Sequence, residues 1–180
     1  MIPFFFFTLI TLTHKTPTTP PTTHLINQTC KNSSLTDPNI NYTFCIKAFH
    51  TSPSSRTANL TRLGLISINL LKHNVTNTTH LTKTLLGRHR LNKKTNIALS
   101  DCLELYSDSI STLFEAARDF RAKRYDDANV KISGVMDDSS TCEQGFEDLE
   151  VYSPLSKHNS DAFQLGAIAL SIIDMVRCYF

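Results

Sequence analysis

Residues 99–120 read LSDCLELYSDSISTLFEAARDF, and in them Leu99, Leu103, Tyr106, Ile110, Leu113, Ala117 and Phe120 alternate spacings of four and three without a miss. With 3.6 residues per helical turn, that alternation gathers the apolar side chains on one face of a helix. The pattern recurs at Tyr125, Ala128, Ile132, Val135, Ser139, Cys142 and Phe146, and again at Leu165, Ile168, Ile172, Met175 and Tyr179. A further stripe, Leu63, Ile66 and Leu70, resumes at Leu81 and Leu85 after the polar stretch 72–79. These stripes predict four long helices over 57–86, 93–120, 124–148 and 159–178. Pro154 interrupts propagation before the last one. Short connections favour antiparallel neighbours, so the expected fold is all-α, an antiparallel up-down-up-down four-helix bundle over 57–178. Residues 25–52 stand apart with their own cysteines, Cys30 and Cys45, and with Asp37-Pro38 marking a turn between them. A helical hairpin is expected there, completing a domain over 25–180.

The chain has 180 residues, 41% hydrophobic and 19% charged, enough apolar material for a packed core. That composition excludes collagen-like and wholly disordered classes. Only 5 Gly and no Trp argue against a barrel or propeller, whose turns consume glycine. The net charge of +2 gives no global field for nucleic acid. It conceals an asymmetry: residues 1–90 carry 9 Lys/Arg against Asp37 alone, whereas residues 91–180 carry 9 against 15 Asp/Glu. Oppositely charged helices packed side by side would account for it.

Ile2 to Leu12 is an uncharged apolar run of 11 residues. A membrane-crossing helix needs about 20, so a secretory signal is the better reading. Thr16 to Thr23 (TPTTPPTT) reads as an extended segment, and residues 1–24 are assigned to the signal peptide and this Thr/Pro-rich stretch. Glycosylation sequons stand at Asn27, Asn32, Asn41, Asn59, Asn74 and Asn77, where random placement would give about two or three. Cys30, Cys45, Cys102, Cys142 and Cys178 lack C-x-x-C spacing, which in an oxidising compartment reads as two bridges and one cysteine left over. Five cysteines allow 15 ways of forming two bridges. A local Cys30–Cys45 bridge suits a hairpin. Cys102 and Cys142 lie at ends that antiparallel packing brings together. Cys178 reads as a small apolar residue beside Tyr179.

The local cysteine pair, followed by Asp101-Cys102-Leu103-Glu104-Leu105-Tyr106-Ser107-Asp108 and Asp137-Asp138-Ser139-Ser140-Thr141-Cys142, resembles the plant invertase and pectin methylesterase inhibitor family. Residues NVKISGVMDDSSTCEQGFED and SPLSKHNSDAFQL are most similar to its pollen-allergen branch, whose members are described as "putative invertase inhibitors". The resemblance implies a secreted inhibitor of the cell wall and apoplast, not an enzyme, with Cys30 paired to Cys45 and Cys102 to Cys142. Some invertase inhibitors carry a Pro-Lys-Phe motif leading into the third bundle helix, where it reaches the target's active site. Lys123-Arg124-Tyr125 stand there, with cation and aromatic kept in kind and the proline replaced.

No nucleophile elbow, Walker loop, H-E-x-x-H or dinucleotide fingerprint occurs, and the seven His are scattered, so no cofactor or metal is expected. Asp137 and Asp138 are adjacent and point about 100° apart on a helix, which prevents joint acid–base work. Tyr106 belongs to the core with its hydroxyl bonded. Among targets the imperfect linker motif favours pectin methylesterase. Acid invertase is the alternative, and a non-inhibitory secreted helical binding protein a second. No partnership with nucleic acid and no membrane span in the mature chain are expected.

Overall fold

A computed structural model of the protein describes residues 21–88 and 91–178. The apolar run Ile2–Leu12 and residues 16–20 of the Thr/Pro-rich stretch lie outside them. All regular structure among the described residues is helical: α1 (Pro21–Thr36), α2 (Tyr42–His50), a 3-10 turn (Pro53–Thr57), α3 (Leu60–Leu86), α4 (Lys93–Arg121), α5 (Tyr125–Asp148) and α6 (Ser156–Cys178). α3 packs on α4, α4 on α5 and α5 on α6, and α6 closes the ring onto α3. This is the expected antiparallel four-helix bundle. α1 and α2 form a hairpin laid against α6 and α3, closed by a Cys30–Cys45 disulfide.

Asparagine caps set three helix starts. The Asn41 side chain accepts from the Phe44 amide (2.9 Å), Asn59 from Arg62 (2.8 Å) and Asn92 from Thr95 (2.8 Å). Each satisfies an amide that the first turn leaves without an intrahelical partner. The Asn59 cap places the start of α3 at Leu60, not at 57, and residues 53–57 form a separate tight turn led by Pro53. α1 begins at Pro21, inside the stretch expected to be extended, because proline's fixed φ suits the first helical position. α6 likewise starts at Ser156, three residues ahead of the expected 159.

The polar stretch 72–79 does not interrupt α3. Val75, Thr78, Thr79 and Thr82 are buried, and the three threonine hydroxyls donate to the Asn74, Val75 and Thr78 carbonyls at 2.9, 2.9 and 2.7 Å. Each hydroxyl is satisfied within its own helix, which leaves the methyl group to pack.

α6 departs from the single-stripe expectation. Leu165, Ala167, Ile168, Ala169, Ile172, Ile173 and Val176 are all buried, while Met175 is half-buried. The hairpin covers the side of α6 that the bundle leaves open. Cys178, at the end of α6, is exposed, not apolar packing material. Gly64 of α3 faces α4 closely: a Cβ there would lie 2.6 Å from the Phe120 ring, so this contact favours a residue without one.

Candidate functional site

The turn between α4 and α5 carries Lys123, Arg124 and Tyr125. Lys123 has φ +60°, the left-handed region that L-residues other than Asn and Asp rarely adopt. The Lys123 amide donates to the Phe120 carbonyl (3.1 Å) and the Arg124 amide to the Asp119 carbonyl (2.9 Å). These paired bonds are the Schellman arrangement, which ends α4 with a residue in the αL conformation just past its cap. Glu150 (φ +54°) ends α5 in the same way, with the Val151 amide donating to the Phe146 carbonyl at 3.0 Å.

Side chains lock this turn from both sides. The Arg124 guanidinium pairs with Asp119 and lies 3.4 Å from Asp127. Asp119 is 3% exposed and also accepts from Lys131 Nζ at 2.8 Å. Hydrogen bonds from Lys131 and Arg124 hold its carboxyl below the ordinary range, outweighing the opposing effect of burial, and the same contact with Asp119 raises the Lys131 ammonium. Tyr125 is 8% exposed, its ring edge-on to Phe120 with centroids 5.4 Å apart. The three residues are therefore adjacent in one tight turn, but only Lys123 and Arg124 reach the surface.

The second candidate surface is the outer face of α4 and α5. Asp101, Glu104, Asp108 and Glu115 are exposed at helical spacing along α4, and Asp126, Asp127, Asp137, Glu147 and Asp148 are exposed on α5. A groove of about 430 Å³ runs between the two helices, flanked by Asp101 and Asp148, with the Cys102–Cys142 disulfide in its floor. The Cα atoms of that bridge are 4.9 Å apart across the α4–α5 contact. Asp137 and Asp138 diverge as adjacent helical residues must. Asp138 accepts from Ser109 on α4 (2.6 Å), with burial raising its pKa, while Asp137 faces solvent.

A buried polar network braces the same end, and only one of its members was singled out from sequence. The Tyr106 hydroxyl donates to Asn159 Oδ1 (2.6 Å), and Asn159 Nδ2 donates to Glu143 Oε2 (2.6 Å). Ser153 and Ser156 also donate to the Glu143 carboxylate. Burial, with the negative charges of Asp138 and Glu143 nearby, pushes the Tyr106 hydroxyl well above its ordinary range, so it stays a donor. Asn159 and Glu143 carry no motif. The available signal was that a tyrosine on a core stripe requires an acceptor.

Of the sequons, Asn32, Asn41, Asn59 and Asn77 are exposed and Asn27 and Asn74 half-buried. Among the described residues no group of three or more His, Cys, Asp or Glu is arranged to hold a metal ion, and no helix is long and apolar enough to cross a membrane. His24, His50, His73 and His80 are exposed and His158 is half-buried, while His14 and His89 lie outside the described residues.

A description of the family "Plant invertase/pectin methylesterase inhibitor" matches residues 24–172. The chain is 40% identical to a "Putative invertase inhibitor" of Platanus acerifolia over 154 residues, covering 84% of this chain and 85% of that one. A protein of the same description from Platanus orientalis is 40% identical over 157 residues, covering 84% and 89%. The fold is similar to that of a crystallised mutant pectin methylesterase inhibitor from Arabidopsis, with a TM-score of 0.68 at 21% identity, covering 79% of this chain and 96% of the other. With residues 24–172 matched and identity of this extent, the chain belongs to the plant invertase/pectin methylesterase inhibitor family.

Proposed function

We propose that the protein is a secreted inhibitor of pectin methylesterase that docks through the acidic outer face of α4 and α5. The observation that carries this reading is the closed state of the α4–α5 turn. Tyr125 is packed against Phe120 and the exposed Arg124 is tied to Asp119, so the aromatic of the segment corresponding to Pro-Lys-Phe is built into the bundle and its cation is held against it. A left-handed Lys123 occupies a position that proline's fixed φ of about −65° does not fit. The α4–α5 face, in contrast, is broad, exposed and stiffened by the Cys102–Cys142 bridge and the Tyr106–Asn159–Glu143 network. Such a surface binds without a large ordering cost.

Secretion, residues 1–24 as the signal peptide and Thr/Pro-rich segment, residues 25–180 as the inhibitor domain, and glycans on the exposed sequons belong to the same proposal. They are supported by the two disulfides and by the accessibility of Asn32, Asn41, Asn59 and Asn77. A second reading, inhibition of acid invertase, is favoured by the description of the two Platanus relatives.

Titrating purified pectin methylesterase and acid invertase side by side separates the two. The expected result is inhibition of the esterase that survives Arg124→Ala and drops on Asp101→Lys or Asp148→Lys. Inhibition of invertase that Arg124→Ala abolishes would move the function to the turn. Failure to inhibit either enzyme at micromolar protein would remove the inhibitor reading in favour of a helical binding protein.

A further inference from the structure

Residues 38–100 contain no Asp or Glu, and they build α2, the 3-10 turn, α3 and the start of α4. Bundle order places α2 and α3, though not the start of α4, off the α4–α5 edge that an enzyme would cover. In the ring α3–α4–α5–α6, the α6–α3 edge lies opposite the α4–α5 edge. On that far edge, where α2 lies over α3 and α6, a groove of about 440 Å³ opens. Its floor includes Phe44, Leu70 and Leu165, and it is also lined by Lys47, His73 and Lys157. Two separate helices, α2 and α6, thus supply its lysines. His73, His158, Thr51, Asn74 and Asn77 add further hydrogen-bonding groups. Asp161 is the acid among the lining residues, and Lys157 Nζ already pairs with it at 2.6 Å.

We propose that this groove binds a polyuronate, a chain of sugar rings bearing free carboxylates. Lys47 and Lys157 meet the carboxylates. The Asn amides and the Thr51 hydroxyl meet the ring hydroxyls, and the face of a sugar ring lies on Phe44 and Leu70. Neither half of the groove serves an uncharged or a purely apolar ligand as well: Lys47 would gain no counter-charge from the first, and the polar lining would be desolvated by the second. The identity of the polyanion rests on the cell-wall reading above, since unesterified pectin is the polyuronate that a pectin methylesterase produces. Bound there, the inhibitor would be held on the reaction's own product while its opposite face remained open to the enzyme.

Calorimetric titration of the inhibitor alone with unesterified oligogalacturonate tests this, with the fully methyl-esterified oligomer as the uncharged control. Lys47→Glu combined with Lys157→Glu is expected to weaken binding by roughly tenfold or more, because two charge-assisted contacts become repulsions. The control is Lys83→Glu with Lys31→Glu. It changes the net charge equally outside the groove and is expected to leave binding within about twofold at physiological salt. Circular dichroism establishes that both double variants stay helical. An equal loss in the control pair, or equal binding of the esterified oligomer, overturns the groove. So does no binding at micromolar concentrations.

Asn74 and Asn77 are sequons on the groove's own lining, so the secreted protein and its Asn74→Gln/Asn77→Gln variant are titrated together. Binding by the variant alone would mean that glycans cover the groove, and would overturn its role in the wall. Enzyme inhibition is a separate readout. An inhibitor that ignores oligogalacturonate loses only the groove, and a polyuronate binder that inhibits neither enzyme loses only the proposed function.

Discussion

Placing a proline at position 123, as in the Pro-Lys-Phe motif, should break the α4–α5 turn. Proline holds φ near −65°, whereas Lys123 sits at +60°. The ring also removes the Lys123 amide, which donates to Phe120, at a cost of about 1 kcal/mol. Moving residue 123 out of the left-handed region displaces the Arg124 amide from the Asp119 carbonyl, about 1 kcal/mol more. The preceding Ala122, at φ −80° and ψ 5°, is in a conformation that a following proline disfavours. Together these give a loss of about 3 kcal/mol or more, or a fall in Tm of roughly 6–12 °C for a domain of this size. Lys123→Gly should move the other way. An L-residue pays about 1–2 kcal/mol to be left-handed, and glycine returns part of that gain as unfolded-state entropy, leaving roughly 0.5–1 kcal/mol of stabilisation. Glu150→Gly, at the matching position after α5, is the internal control and should show the same sign. Urea unfolding followed by circular dichroism reads all three. A Lys123→Pro protein with the wild-type midpoint would refute the reasoning: the turn would then accept the proline geometry, and the linker would be free to act as in invertase inhibitors.

Tyr106→Phe leaves Asn159 Oδ1 buried without its 2.6 Å donor and should cost about 1–3 kcal/mol in chemical denaturation; no change would mean that Asn159 reaches another donor. Asp119 has a native pKa below its unfolded value, so its stabilisation is full above the unfolded value near 4 and is lost as pH falls through the depressed native value. Asp119→Asn should therefore flatten the acid limb of the Tm-versus-pH curve, and an unaltered limb would assign acid unfolding to other carboxylates. Removing the Cys30–Cys45 bridge (separation 15) by a double Ser substitution should cost about 3 kcal/mol, and removing Cys102–Cys142 (separation 40) about 4, read as Tm; the reverse order would mean that loop closure does not govern their contributions.

What the sequence makes legible depends on whether a helix has one dry face. α4 and α5 do, and their four-three spacing marks Leu99, Tyr106, Leu113, Ile132, Val135 and Phe146, all buried. α3 defeats the same test in its middle because threonine counts as polar, although Thr78, Thr79 and Thr82 hide their hydroxyls against the preceding turn. α6 defeats it differently: a second cover, the hairpin, buries alanines and isoleucines off the stripe, and no local pattern announces a partner 138 residues away in the chain, such as Ser33 bonded to Ser171. The turn at Lys123 was legible as a departure from Pro-Lys-Phe, but its backbone state was not. A left-handed residue is ordinarily signalled by glycine or asparagine, and lysine carries no such mark.

The charge asymmetry along the sequence acquires its meaning only from the bundle's cyclic order. If acidic and basic segments alternated around the ring, neighbouring helices would pair most of their charge and leave little for a partner. Instead α3, with no acid in its 27 residues, stands diagonally across from α5, whose first turn begins with Asp126 and Asp127. The two are linked chiefly through α4 and α6, so the cations of α3 and the acids of α5 do not face each other across a shared contact. Each face therefore keeps its own field. The net charge of +2 thus combines opposed segments with local pairs such as Arg124–Asp119 and Arg177–Asp126. Local ion pairs follow the same division: Arg124 and Lys131 both serve Asp119 at the α4–α5 turn, while Lys72 on α3 lies over the Phe114 ring of α4, 4.2 Å from its centroid. A partner steered to one face by charge is repelled from the other, which fixes the orientation of docking before any short-range contact forms.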